Sequence, residues 1–169
     1  MINDKVKEVL NEQINKEFYS AYLYLAMSAY FDDMGLSGFA NWTKVQAREE
    51  VDHAMIIFDY LIDRDCKVHL KQINYPEDDF SSPLQVFEKI LAHEKHVMSS
   101  IDCIVYMSQE ECDMATRNFI NWYLTEQVEE EKNASDIVTK LKLFGEEKAS
   151  LFLMDSQLSK REYKKHEYS

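Results

Sequence analysis

Glycine and proline are so scarce in this chain that they limit what it can fold into. Its 169 residues include only three glycines and two prolines. They are Gly35, Gly38, Pro76, Pro83 and Gly145. Turns and irregular loops depend on these residues, so their scarcity favours a few long helices. It excludes a collagen-like, disordered or many-stranded β chain, and the length is that of a single domain.

Apolar residues recur at helical spacing in the stretches between those breaks, 1–34, 39–75, 84–144 and 146–169. An unbroken helix over the third stretch would be about 90 Å long at ~1.5 Å per residue, which is too long for a compact domain of this size. We therefore expect a turn in the polar segment 108–113, although that segment contains neither glycine nor proline. The chain then forms four main helices of about 25–30 residues each.

The connection between the second and third helices, residues 66–82, is much longer than the other two. Extended chain of this length spans roughly 56 Å at ~3.3 Å per residue, whereas a helix of ~27 residues is about 40 Å long. The connection can therefore run the whole length of the bundle, and a hairpin with a long loose loop is the alternative. We predict an all-α, up-down-down-up four-helix bundle with a long crossover between helices 2 and 3.

The C-terminal part of the chain predicts one more helix and a tail. After Gly145 the segment EEKASLFLMDSQL has the composition of a short fifth helix. The bundle and this helix would form one domain over residues 1–160. Residues 161–169 are polar and are expected to form a mobile tail.

Charge and composition exclude several classes of function. Lys and Arg number 19 and Asp and Glu number 31, which gives a net charge of −12. Such a chain repels phosphate backbones and suits the collection of cations. No apolar run approaches the ~20 residues of a membrane span, and the N-terminus lacks a signal-peptide core. Three cysteines without a CxxC pair fit a reducing compartment. We expect a cytoplasmic protein that binds neither nucleic acid nor membranes.

Polar side chains interrupt the apolar stripes of the predicted helices. They are Glu17 with Tyr24 in the first helix, Glu50 and His53 in the second, Glu94 in the third, and Gln127 and Glu130 in the fourth. A charge in an apolar core is very costly unless it is paired or bound to a metal. Each residue alone has an ordinary explanation as a packed or solvated helix residue, but the set as a whole favours a metal site.

A constant offset relates the two halves of the chain. Pairs separated by 77 residues are Glu17 and Glu94, Glu49 and Glu126, Glu50 and Gln127, and His53 and Glu130. Folding each hairpin at its midpoint, near Met34 and near Cys112, brings all of these residues to one level of the bundle. Residues three apart share a helix face, so Glu50 and His53 can chelate one cation. Mixed oxygen and nitrogen ligands without sulfur suit iron or manganese.

The motifs that carry these residues resemble those of the bacterial non-haem ferritins. They are NEQINKEFYSAYLY, QAREEVDH, FEKILAHEKH and NWYLTEQVEEE, and the resemblance runs from Lys5 to Leu158. It implies a ferritin-like bundle that acts as a ferroxidase, oxidising Fe(II) with dioxygen or hydrogen peroxide. It also implies that Fe(III) is stored as an oxide mineral inside a hollow shell of 24 identical subunits.

The resemblance also implies which residues bind iron. One iron site would use Glu17, Glu50 and His53. The second site would use Glu94 and Glu130, with Glu50 bridging and Gln127 nearby. A third site would use Glu49, Glu126 and Glu129 and share Glu130. Tyr24 matches the family's tyrosine beside the di-iron centre and would donate an electron. Trp122 is either a second redox-active aromatic or core packing. The fifth helix would pack around a symmetry axis of the shell, or else cap its own bundle.

Other readings of the same pattern fit less well. A haem-carrying bacterioferritin would need a methionine where this chain has Val51, and a histidine where it has Glu130. No haem is therefore expected. A rubrerythrin-like peroxide reductase would need a CxxC iron domain, and a DNA-protecting mini-ferritin builds its metal site between subunits. A non-enzymatic shell subunit or iron buffer, without fast ferroxidase activity, stays open as the alternative of a different class.

Overall fold

The computed structural model describes residues 2–145 and 147–165. Residues 166–169 of the predicted tail lie outside the described residues. All regular secondary structure within the described ranges is helical, as predicted. The helices are α1 (Asp4–Asp33), α2 (Ser37–Asp63), α3 (Pro83–Glu110), α4 (Met114–Phe119), α5 (Asn121–Phe144) and α6 (Lys148–Leu158). No helix in these ranges is long and apolar enough to cross a membrane.

The two short turns adopt left-handed backbone conformations. Gly35, between α1 and α2, has φ 74°, which glycine adopts without steric cost. Cys112, between α3 and α4, has φ 54° although it carries a side chain. Asp113 then caps α4 by accepting a hydrogen bond from the backbone N–H of Thr116 at 3.1 Å. The turn predicted within residues 108–113 is therefore present, built without glycine.

The fourth main helix differs from the expected single element, because it is interrupted at Ile120. The N–H of Ile120 donates to the carbonyl of Thr116, and the N–H of Tyr123 then donates to Ile120 only three residues back, both at 3.0 Å. This tighter step separates α4 from α5. Phe119 at the break stacks on Tyr60 of α2 with ring centroids 3.7 Å apart, so packing against α2 holds this part of the chain in place.

Contacts between helices establish their directions. Ser28 of α1 donates a hydrogen bond to the carbonyl of Ala40 near the first turn, at 3.0 Å. Farther from that turn, Glu17 Oε2 lies 3.9 Å from His53 Nδ1. α1 and α2 therefore run antiparallel.

The third helix also runs antiparallel to α1. Lys5, at the start of α1, pairs with Glu111 just after α3, with 2.6 Å between nitrogen and oxygen. Ser20, farther along α1, lies 2.7 Å from His93 in the first half of α3. α3 is thus parallel to α2, and the up-down-down-up topology is confirmed.

The crossover follows α1 from one end of the bundle to the other. Near its start, the backbone N–H of His69 donates to Asn11 at 2.6 Å. Near its end, the ring of Phe80 packs against Tyr30 with centroids 5.4 Å apart. These contacts join the crossover to opposite halves of α1, so it spans the bundle as its length predicted.

The interior consists of two apolar clusters with a polar layer between them. One cluster, toward the α1–α2 turn, includes Phe31, Phe39 and Phe87. The other, toward the opposite end, includes Ile57 and Ile101. Both bury side chains completely, and burial of one such side chain contributes about 1.5–3 kcal/mol. The stability supplied by the two clusters allows the layer between them to consist of polar residues.

The short helix α6 docks against the start of α2. Asp155 accepts hydrogen bonds from the backbone N–H groups of Gly38 and Phe39, at 2.7 and 3.0 Å. These N–H groups have no partner within α2, so Asp155 acts as the cap of that helix from a distant part of the chain. Met154 is buried in this contact, whereas Phe152 is 71% exposed.

Candidate metal centre

The polar layer contains the residues at which the sequence predicted a metal site. Each is buried and each long helix contributes at least one: Glu17 and Tyr24 from α1, Glu50 and His53 from α2, Glu94 from α3, and Gln127 and Glu130 from α5. In each hairpin the turn lies midway between the candidate ligands of its two helices. Because the two helices run antiparallel, these residues lie at one level of the bundle.

Two groups of side chains in this layer can each hold one cation. Glu17, Glu50 and His53 form the first group, and Glu50, Glu94 and Glu130 form the second. In each group the candidate ligand atoms all lie within 4.8 Å of one another. Glu50 belongs to both, so its carboxylate is placed to bridge two neighbouring cations.

The residues of the implied third site are arranged differently. A further group joins Glu126 to His53 and Glu130, with ligand atoms again within 4.8 Å. Glu129 is exposed and belongs to none of the groups found among the described residues. The carboxylate of Glu49 instead forms an ion pair with Arg161 from the segment that follows α6.

Buried amides and one phenol hold the carboxylates in place. Gln13 donates to Glu17, and Tyr24 donates to Glu94. The amide nitrogen of Gln127 donates to the carboxylate of Glu94 at 2.6 Å, and also to its backbone carbonyl at 3.1 Å. Such partners orient the groups that bind a metal and tune their affinity.

A second buried amide, that of Gln46, connects two helices. Its nitrogen donates to Glu50 at 2.9 Å and to Glu130 at 2.6 Å. Neither Gln46 nor Gln13 was predicted from the sequence. Gln46 lies four residues before Glu50, and Gln13 lies four residues before Glu17, both candidate ligands. That spacing places each pair on one helix face and is the signal that could have found the two glutamines.

Several oxygen atoms of the layer remain available for a cation. Glu17 Oε2, Gln127 Oε1 and Glu130 Oε2 are buried and accept no hydrogen bond from the described residues. Buried polar atoms without a partner are rare because each loses its hydration. Carboxylate and amide oxygens beside one imidazole form a donor set that suits a divalent iron or manganese ion. The residues therefore fit a pair of such cations.

Burial controls protonation in the layer. Loss of hydration, reinforced by neighbouring carboxylates, raises the pKa of Glu17 and of Glu50 to about 8. The same cause raises the pKa of Glu94 to about 7 and that of Glu130 well above its ordinary value. Without cations the layer therefore holds protons near neutral pH, and a bound cation must displace them.

Aromatic rings surround the histidine side of the layer. The ring of His53 lies 4.9 Å from that of Tyr123 and 5.6 Å from that of Trp122. Trp122 and Tyr123 stack with an interplanar angle of 6°. Burial raises the pKa of Tyr24 and of Tyr123 well above the ordinary value, so both phenols stay protonated. Tyr123 was not singled out from the sequence, where it looked like core packing.

Comparison with known proteins gives one consistent match. The profile of the ferritin-like domain family matches residues 7–144. The bacterial non-heme ferritin of Bacteroides fragilis (strain 638R) is 42% identical over 161 residues, covering 95% of this chain and 100% of that protein. The bacterial non-heme ferritin of Campylobacter jejuni is 41% identical over 158 residues, covering 94% of this chain and 95% of that protein.

Solved structures of ferritins superpose on this chain over nearly its whole length. A closed form of the Archaeoglobus fulgidus ferritin, engineered by mutagenesis, superposes with a TM-score of 0.95 at 48% identity, covering 97% of this chain and 100% of that one. An open pore ferritin from the same archaeon superposes with a TM-score of 0.95 at 49% identity, covering 96% and 100%.

Proposed function

This chain belongs to the ferritin family, and from that membership we propose that it is an iron-storage ferritin with ferroxidase activity. Its substrate is Fe(II), which two neighbouring groups of buried side chains bind and oxidise. The Fe(III) product is stored as an oxide mineral. The observation that supports this most directly is the position of Glu50, which two groups of candidate ligands share.

Each ligand has a role that follows from its place. Glu17 and His53 hold one Fe(II), and Glu94 and Glu130 hold the other, with Glu50 between them. Anionic oxygen ligands stabilise Fe(III) more than Fe(II), because the attraction grows with the charge of the ion. The neutral Gln127 lies beside the second position, where its free oxygen adds a weak donor without adding charge.

The reaction balances with two iron ions. Two Fe(II) ions supply two electrons, and dioxygen with two protons becomes hydrogen peroxide. Binding of two Fe(II) ions displaces the protons of the ligand carboxyl groups, so the two protons taken up by dioxygen come from the solvent. Tyr24 donates a hydrogen bond to Glu94. It is placed to give one electron and one proton to a reduced oxygen species beyond the two electrons of the iron ions, and would itself become a neutral phenoxyl radical.

Storage requires an enclosure that a single bundle cannot provide. We propose that copies of this chain assemble into a shell of 24 subunits around the mineral, as the resemblance implies. The two superposed Archaeoglobus fulgidus ferritins are described as a closed form and as an open pore ferritin, and these words fit a shell with pores, which supports the proposal. The exposed apolar residues of α6, Phe152 at 71% and Leu153 at 62%, are suited to burial between subunits.

Stopped-flow oxidation tests the proposal. Anaerobic protein loaded with Fe(II) is mixed with oxygen, and ferric absorbance is followed for the wild type, for Glu50→Ala and for Asp59→Ala. Asp59 is an exposed carboxylate on the same helix and serves as the matched control. We expect a fast phase that consumes about two irons per chain, is lost in Glu50→Ala and is kept in Asp59→Ala.

The alternative function predicts another result. A shell subunit or iron buffer without its own ferroxidase centre would oxidise iron slowly in all three proteins, at a rate set by free iron. That outcome would refute the ferroxidase assignment and leave only containment.

A further inference from the structure

The residues that follow α6 return along α2 toward the metal centre. The side chain of Asn41 donates to the carbonyl of Arg161 at 2.9 Å. Tyr163 donates its hydroxyl hydrogen to Asp52 at 2.7 Å. Since Asn41 and Asp52 lie on either side of Gln46, Glu49 and Glu50 in α2, this segment is laid along that part of the helix.

The side chain of Arg161 is held at several points. Its guanidinium lies 4.4 Å above the ring of Trp42 and donates to the carbonyl of the same residue at 3.3 Å. It also donates to the amide oxygen of Gln46 at 2.8 Å and to the carboxylate of Glu49. The side chain is only 23% exposed. A planar group held on several sides has little freedom, so it is a rigid part of the structure.

The contact with Gln46 determines how that amide is turned. An amide has a donor end and an acceptor end, and either can point at a neighbour. Arg161 has only donors, so it fixes the oxygen of Gln46 toward itself. The nitrogen is then directed at Glu50 and Glu130, which it meets at 2.9 and 2.6 Å. The orientation of both candidate iron ligands thus depends on a residue outside the bundle.

The contact with Glu49 affects how many cations the centre can hold. Glu49 is 7% exposed and adjoins the bridging Glu50 in sequence. Its carboxylate already forms an ion pair with the guanidinium of Arg161. The group of Glu126, His53 and Glu130 shares His53 and Glu130 with the other two groups, so a third cation beside the first two depends on Glu49 as a further ligand. Such a cation would have to displace Arg161 or approach it closely.

From this we propose that Arg161 is a positioning residue of the metal centre: through Gln46 it orients Glu50 and Glu130, and by occupying Glu49 it limits the centre to two cations. The inference rests on the proposed function and adds to it a determinant of stoichiometry. Without Arg161, Gln46 is free to turn its oxygen toward the carboxylates, and Glu49 becomes available as a ligand.

Binding of Co(II) tests this without any turnover. Co(II) is titrated into the metal-free protein under argon, and heat and visible absorbance are recorded together. We expect two equivalents per chain for the wild type. Arg161→Ala should bind a third equivalent, with the first two weakened about tenfold, the lower end of the range for outer partners of metal ligands. Arg161→Lys keeps the positive charge and should restore the stoichiometry of two.

Two further variants separate this role from simple docking of the segment. Tyr163→Phe removes the contact with Asp52 but leaves the guanidinium, so it should titrate as the wild type does. Glu49→Gln placed in the Arg161→Ala protein should abolish the third equivalent. Helix content by circular dichroism is compared for every variant, and Arg161→Gln, which is neutral but polar, replaces Arg161→Ala if the latter misfolds.

The outcomes are distinct. If Arg161→Ala and Arg161→Gln both bind two equivalents of Co(II), with the affinity and spectrum of the wild type, the inference is overturned and the proposed function stays intact. A third equivalent that persists after Glu49→Gln would also overturn it. Failure of the wild type to bind Co(II) at all would reject the metal centre itself.

Discussion

Glu50 and Glu130, on helices that lie far apart in the sequence, accept hydrogen bonds from the same amide nitrogen, that of Gln46. The two bonds measure 2.9 and 2.6 Å. One neutral side chain therefore keeps two buried carboxylates at a fixed separation. When both carboxyl groups are ionised it also offsets part of their mutual repulsion, since it donates to both.

Replacement of Gln46 by leucine should weaken cation binding without unfolding the bundle. Leucine fills the space but leaves two carboxylates without their donor, so their orientation is lost. We expect affinity for Co(II) to fall about 10- to 100-fold, as for other partners that orient metal ligands. Gln109→Leu, at an exposed position on α3, is the control and should leave affinity unchanged. Equal affinity in both variants would show that Gln46 does not position the ligands.

The stability of the metal-free protein should fall as pH rises toward 8. The folded-state pKa of Glu17 and of Glu50 is about 8, raised from 4.5. Between these values the folded state binds more protons than the unfolded state, so the free energy of unfolding decreases with increasing pH. Urea unfolding at several values between about pH 5 and pH 8 measures this slope.

Two controls test the cause of that slope. Glu50→Gln removes one titrating group and should make the slope shallower. Saturation with Co(II) should reverse it, because ligands must lose protons to bind and the bound ion stabilises only the folded state. A metal-free protein whose stability rises over the same range would contradict the assignment of buried protonated carboxylates.

Much of this candidate centre could be predicted because helices are rigid and have a fixed rise per residue. With inter-helix turns near Met34 and Cys112, the constant offset between residues such as Glu17 and Glu94 places the candidate ligands at one level, whatever the details of packing. That argument needs only the helical rise and the antiparallel sense of each hairpin. The crossover followed from its length for the same reason.

The rest depended on contacts between segments that are distant in the chain. The spacing of Gln46 from Glu50 could have indicated that the two side chains share a helix face, but nothing in the sequence indicates that the same amide also reaches Glu130. Arg161 acts from a segment without regular structure, more than a hundred residues from Glu49 in the chain. The interruption at Ile120 involves neither glycine nor proline, and stacking of Phe119 on Tyr60 from another helix accompanies it.

Tyr24→Phe should separate cation binding from redox chemistry. The variant keeps the ring in its fully buried place but loses the hydrogen bond to Glu94. We expect Co(II) stoichiometry to stay the same, because the phenol is not one of the candidate ligands. The yield of hydrogen peroxide per oxidised Fe(II) should change, because a source of one electron and one proton is removed. Peroxide is measured with an oxygen electrode and added catalase.

Tyr19→Phe is the matched control for that experiment. Tyr19 is a neighbouring tyrosine on α1 and lies 6.2 Å from the ring of His93, outside the candidate ligands. It should leave both binding and peroxide yield as in the wild type. If Tyr24→Phe gives the same yield of hydrogen peroxide as the wild type, Tyr24 has only a packing role.

Gly38→Ala should detach α6 from the bundle. A Cβ added at Gly38 would lie 1.7 Å from the backbone oxygen of Asp155, a contact that α6 can relieve only by moving away. Overpacking of this kind costs about 1–3 kcal/mol, and the caps that Asp155 supplies to α2 would be lost as well. Because Arg161 follows α6 directly, its hold on Gln46 and Glu49 should weaken too.

Hydrogen exchange measures that detachment by region. Gly38→Ala should lose protection over residues 148–165 while α1 and α3 keep theirs. Gly35→Ala is the control. A Cβ added at Gly35 would meet no atom within 4 Å, so this substitution strains the backbone only through the positive φ of 74°. It should lower overall stability by about 1 kcal/mol and leave α6 protected. A third equivalent of Co(II) bound by Gly38→Ala would show that the docking of α6 and the stoichiometry of the centre are coupled through Arg161. Full protection of residues 148–165 in this variant would refute the docking role of Gly38.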